Sequence, residues 1–130
     1  MPEIPLPQKI VLLCLAGSAG TLSRYFLSAL VQRFSPHDFP WGTLAVNVLG
    51  CFLFGLVWTL ADSRELITPA TWSIILVGFM GAFTTFSSYA FETSQLLSPE
   101  DYLAAAGNLL LQNLIGLAAV FAGIALGRGL

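Results

Sequence analysis

The sequence predicts an all-α integral membrane protein of four transmembrane helices, forming a single domain over residues 1–130. Two observations of composition and one of pattern lead there. Of the 130 residues, 56% are hydrophobic and only 9% charged, with a mean hydropathy of +0.81, whereas a soluble domain is about a quarter charged. A chain this short cannot hide so much apolar surface from water and keep so few charges for its shell. The pattern is a series of four apolar runs divided by short polar stretches, each run at least as long as the ~20 residues a helix needs to cross a bilayer.

The first helix is expected over about 10–34, after a proline-rich cap, MPEIPLPQKI, that lacks the pattern of a cleaved secretory signal. FSPHDFP (34–40) reads as a loop, with His37 a surface residue. The second helix runs over 41–61 and is closed by DSRE (62–65). Pro69 suits the first turn of a third helix, over 68–97. SPED (98–101) reads as a cap with acids in the first turn of a fourth helix, over 101–127. Trp41, Trp58 and Trp72 fall near helix ends, where an interfacial aromatic belt places them. Cys14 and Cys51 lie inside apolar runs and read as packed thiols, not a disulfide.

Charge excludes one class of partner and leaves orientation open. A net charge of −2 with no basic patch argues against nucleic acid. With both termini on one face, that face carries Lys9, Arg64 and Arg128 and the other Arg33. So thin a bias leans toward termini inside, and it also fits a chain that inserts both ways.

The third run is unusual. At 1.5 Å per residue it would reach about 45 Å, against a hydrocarbon core of about 30 Å, so it must tilt, protrude or break. Its middle reads GFMGAFTTFSSYAFE (78–92), with Gly78 and Gly81 followed by Thr84 and Thr85. A break here would free backbone groups inside the bilayer, a common way to build an ion site. Two glycines permitting close helix packing is the other reading.

Polar side chains recur in all four runs. Arg24 lies well inside the first, where an arginine costs roughly 2.5 kcal/mol or more unless it snorkels or meets water; it reads either as a snorkelling residue or as the base of an anion-attracting vestibule. Thr43 and Asn47 share a face of the second helix, with Asn47 either interhelical glue or a donor to a permeating species. In the third, Phe86 and Tyr89 are three apart, and Thr85, Ser88 and Glu92 form a neighbouring face. An aromatic pair at that spacing packs or lines a path, and ring edges carry partial positive charge that can face an anion. Glu92 reads as pore mouth, ion-pair partner or interface residue. The fourth run adds Asn108 and Gln112 on one face, with Asn113 beside them. Its Gly123 and Gly127 form a small-xxx-small pattern. Four helices this size enclose little interior of their own, so a path with this lining forms more easily between subunits of a homodimer.

On GSAGTLSRY (17–25), GTLAVNVLG (42–50) and above all GFMGAFTTFSSYAFE (78–92), the chain resembles the Fluc family of small bacterial fluoride channels over nearly its whole length. The resemblance implies a fluoride-selective channel of the bacterial cytoplasmic (inner) membrane, passively exporting fluoride and protecting the cell from it. It implies an antiparallel, dual-topology homodimer in lipid, with two pores and a third helix broken mid-membrane. It also implies a structural sodium ion at the dimer interface, held by backbone carbonyls that match Gly81 and Thr84. The pore phenylalanines match Phe86 and Tyr89, with the hydroxyl between them at Ser87. The remaining pathway positions match Asn47, Thr43 and Glu92, and the vestibule arginine matches Arg24. Two departures stand out: Tyr89 replaces a usual phenylalanine and adds a phenolic O–H, and Asn108 and Gln112 take positions that are often tyrosine and serine.

Three other classes fit less well. A proton-coupled small multidrug transporter needs a carboxylate in its first helix, where this chain has Arg24 and no acid after Glu3. A non-conducting membrane scaffold explains the amides but not the order of glycines, hydroxyls, aromatics and acid in 78–92. An enzyme is weaker still, since no Ser–His pair, metal-ligand cluster or carboxylate pair stands at membrane depth.

Overall fold

A computed structural model of the chain describes residues 4–36, 38–62, 69–98 and 102–130. Among these residues the regular structure is helical, with no strand. Four helical spans are long and apolar enough to cross a membrane: Leu6–Arg33, Trp41–Asp62, Thr71–Leu96 and Tyr102–Gly129. Glu3, His37, Arg64 and the acids of the expected SPED cap lie outside the described residues.

Helix α1 (Leu6–Arg33) starts ahead of the expected Ile10, because its prolines open it instead of preceding it. Pro5 is the N-cap and Pro7 stands in the first turn, where a missing N–H costs nothing, and Lys9 N–H donates to the Pro5 carbonyl at 2.9 Å. At the other end Gln32 spans the turn into helix α2 (Trp41–Asp62). Its Nε2 donates to the Phe39 carbonyl at 3.1 Å and its Oε1 accepts from Gly42 N–H at 3.1 Å, which satisfies one of the free amides at the start of α2.

Helix α2 makes its most extensive contact with the last helix, here α5 (Tyr102–Gly129). Small residues set that contact. A Cβ on Gly55 would collide with the Val120 carbonyl, one on Gly123 with the Phe52 carbonyl, and one on Gly127 would lie 2.8 Å from Thr59 Cβ. Helices in lipid gain no hydrophobic advantage by touching, so such close backbone approach is how they hold together.

The third span is built in pieces. Pro69–Ser73, a π-helical stretch Ile74–Met80 and a final turn Gly81–Phe83 make α3 (69–83). Thr84 (φ −81°, ψ 157°) and Thr85 (φ −147°, ψ 110°) are extended and lead into α4 (Phe86–Leu96). The two glycines of the motif act differently. A Cβ on Gly78 would come within 2.9 Å of Ala16 Cβ on α1, so Gly78 serves packing, whereas Gly81 is exposed and its nearest contact would be the Leu76 carbonyl at 3.8 Å. Gly20 completes the α1–α3 contact against the Phe79 carbonyl.

Apolar side chains cover the outside, including Leu15, Phe26, Phe91, Leu114 and Phe121. Only 6% of the residues in the apolar window of α1 are fully buried within the chain, and its outer face, with Leu15, Leu22 and Phe26, is left to lipid or to another subunit. Trp58 and Trp72 meet edge to face at 5.5 Å, near the end of α2 and the start of α3.

Candidate functional site

The site forms around the extended pair. Two consecutive β-branched threonines favour extended backbone over helix, and at Thr84 and Thr85 side chains make good the helical hydrogen bonds that the backbone gives up. In a continuous helix Thr85 N–H would donate to the Gly81 carbonyl and Ser88 N–H to the Thr84 carbonyl. Here Thr85 N–H donates to Asn47 Oδ1 at 2.9 Å, and Ser88 N–H donates to Thr85 Oγ1 at 3.2 Å, which makes Thr85 the N-cap of α4. Both carbonyls thereby lose their helical donors.

Asn47 does more than accept. Its Nδ2 donates to the Thr85 carbonyl at 3.1 Å and to Gln112 Oε1 at 3.1 Å. The side-chain amide thus pairs with both backbone groups of Thr85, as a neighbouring strand would, and its two N–H bonds and its oxygen are all engaged. Because Gln112 Oε1 accepts from Asn47, Gln112 Nε2 is left over. It is buried, and no hydrogen-bond partner reaches it. Among the described residues, Asn108 Oδ1 and Glu92 Oε2 are likewise buried without a partner, so the bundle holds one spare donor and two spare acceptors.

Gln112 and Asn47 line a cavity of about 290 Å³ together with Phe86, Tyr89, Asn113 and Thr85. The Phe86 and Tyr89 rings meet edge to face at 5.6 Å and 70°. Phe86 is 79% exposed from the single chain and Tyr89 8%. Asn113 Nδ2 donates to Tyr89 Oη at 3.0 Å and to the Leu109 carbonyl at 2.7 Å.

A second cavity, of about 480 Å³, shares Thr85 with the first and is walled by Arg24, Thr21, Ser28, Thr43, Ser88 and Glu92. A third, of about 390 Å³, shares Ser28, Gln32, Thr43 and Glu92 with it and extends to Asp38 and Pro40. Thr43 Oγ1 donates to Glu92 Oε1 at 2.7 Å, and Glu92 Oε2 is buried with no partner. Arg24 and Glu92 therefore face the same polar space, which runs from the loop before α2 up to Thr85.

Nine of the eleven expected site residues fall at or beside these cavities or at the α3–α4 junction. The other two stand apart from the cavity walls. Asn108 is fully buried, donating from Nδ2 to Thr93 Oγ1 at 2.8 Å, while Thr93 Oγ1 donates to the Tyr89 carbonyl at 2.7 Å; this braces α4 on α5. Ser87 is exposed, 3.4 Å from Thr85 Oγ1 through its hydroxyl. Thr85, Ser88 and Asn113 also line the cavities and are not among the expected site residues. For the first two the signal was present, since they share a helical face with Glu92.

Four apolar spans, with clefts between them that hold hydroxyls, amides, one arginine and one carboxylate, define a small multi-pass membrane protein. Comparison with known proteins narrows this. Residues 11–124 match the family model described as CrcB-like protein, Camphor Resistance (CrcB), and the chain belongs to that family. Curated relatives carry the name fluoride-specific ion channel FluC. One from Solidesulfovibrio magneticus is 54% identical over 93% of this chain and 97% of its own length. One from Nitrosococcus oceani is 54% identical over the same shares, and one from Parabacteroides distasonis is 39% identical over 94% of each.

Proposed function

We propose that the chain is a fluoride-selective channel, passively exporting fluoride across the bacterial cytoplasmic membrane. The observation that carries this beyond kinship is the buried Gln112 Nε2, without a partner among the described residues, on a side chain that lines the cavity of Phe86 and Tyr89. Fluoride is small, strongly hydrated and the best hydrogen-bond acceptor among the halides. A path for it must replace its water with N–H and O–H donors and positive ring edges. Asn47 holds the junction and turns Gln112 so that its donor is free. Arg24, at the wall of the larger cavity, concentrates anions at the entrance. Thr43 and Glu92 line the same space and Phe86 and Tyr89 the smaller one; exposed Ser87 would complete the path in the assembled protein, and Asn108, with its Nδ2 on Thr93, would support it from behind. Export needs no coupling. Hydrogen fluoride, a weak acid, crosses the membrane and dissociates inside, and the negative interior drives the anion out.

The same reading includes an antiparallel homodimer with two pores, its third helix broken at membrane depth by Thr84 and Thr85. The exposed outer face of α1 and exposed Phe86 supply surface for a partner subunit. A structural sodium ion fits the junction, because the Gly81 and Thr84 carbonyls have lost their helical donors and hard cations are held by oxygen. Those two carbonyls would hold it, and it would supply positive charge that ties the two junctions together.

Efflux from proteoliposomes tests the function. Vesicles loaded with potassium fluoride, given valinomycin for the potassium countercurrent, are expected to release fluoride within seconds to minutes, while chloride-loaded vesicles retain their anion. Retained fluoride in vesicles that contain folded protein would sink the proposal.

A further inference from the structure

The relation of Asn113 to Tyr89 carries one step more, and it rests on the fluoride reading. Tyr89 is 8% exposed, and its hydroxyl is a donor and an acceptor. Asn113 Nδ2 spends one N–H on the Leu109 carbonyl of its own helix at 2.7 Å and the other on Tyr89 Oη at 3.0 Å. The first bond fixes the amide, and the second occupies the acceptor side of the hydroxyl. The proton of Tyr89 must then be donated elsewhere. Tyr89 lines the 290 Å³ cavity together with Gln112, whose Nε2 is buried and has no partner among the described residues.

We propose that Asn113 is a positioning residue that directs the Tyr89 O–H into this cavity, so that Tyr89 Oη and Gln112 Nε2 together form a two-donor subsite for a dehydrated small anion. Asn113 does not touch the ion. It acts through the phenol, by being a donor to it. The tyrosine is thereby a second donor to the ion in addition to a ring edge, and its partner on α5 decides which way that donor points.

The test exploits the direction of the bond. In N113D the carboxylate accepts where the amide donated, so the Tyr89 proton turns toward residue 113 and leaves the cavity. Y89F removes only the hydroxyl; N113D adds a carboxylate within a spanning helix, so efflux is compared only for variants that elute from size-exclusion chromatography as the wild type does. Fluoride efflux is measured for wild type, Y89F, N113D and the double variant. A hydrogen bond to a charged group is worth about ten-fold or more in rate. Y89F and N113D are each expected to slow fluoride release about ten-fold, and the double variant to be no slower than Y89F alone. The Y89F background also controls for the added negative charge, because a charge effect survives removal of the phenol and a positioning effect does not. N113D at the wild-type rate or faster, or still slowing release in the Y89F background, overturns the proposal. Wild-type vesicles that release no fluoride would instead strike at the channel reading, so the two failures are distinguishable.

Discussion

At the scale of single residues, Asn47 organises the site. The sequence allows glue or a donor to the ion, and in the structure both of its N–H groups and its oxygen are engaged by Thr85 and Gln112. The free donor is one residue further along that chain of bonds. Asn47→Ala strands the Thr85 N–H and carbonyl and loosens Gln112. Leaving a buried polar group unpaired costs about 1–3 kcal/mol, so the variant is expected to unfold at lower temperature in detergent and to lose most fluoride release. Unchanged thermal stability would show that water takes over these bonds without cost. The amides themselves were legible in the sequence as polar residues in apolar runs. Which of their N–H groups is left over was not, because that depends on pairing between residues that are 38 and 65 positions apart in the chain. The Asn113–Tyr89 bond escaped notice for the same reason.

At the scale of elements, apolar length and proline placement located the spans. Their ends shifted where a proline could serve inside a first turn as well as before it, as at Pro5 and Pro7. The π-helical stretch Ile74–Met80 left no mark in the sequence, since IILVGFM is equally good α-helix by composition. The glycines and threonines of 78–92 marked where the span could break or pack, and the side chain that pairs with the extended backbone was not legible. Glycines separate into those that pack and those that do not. A methyl group at Gly123 meets the Phe52 carbonyl, whereas one at Gly107 meets nothing within 4 Å. Gly123→Ala is therefore expected to destabilise the α2–α5 pair by about 1–3 kcal/mol or more, and Gly107→Ala to be neutral or stabilising by up to about 1 kcal/mol through helix propensity. Thermal unfolding of the two variants side by side checks the contrast, and equal midpoints would contradict it.

At the scale of the whole molecule, membrane residence and kinship were legible early, because composition and the 78–92 motif are local properties of the chain. The cavities were not, since they arise from the third dimension: Thr85 borders both the arginine-lined space and the aromatic one. The proposed dimer and its sodium carry a prediction of their own. Replacing sodium with a bulky organic cation during purification is expected to weaken the dimer, read as a shift toward monomer by light scattering in detergent, and to reduce fluoride release in parallel. A dimer that persists with full activity under sodium-free conditions would rule out a structural role for the ion.

The central claim is passive, fluoride-selective conduction, and a planar bilayer recording addresses it most directly. With a fluoride gradient across the membrane and chloride equal on both sides, the current is predicted to reverse at the fluoride equilibrium potential and to stay there when a proton gradient is imposed. A reversal potential that tracks chloride, or that moves with the proton gradient, would contradict it.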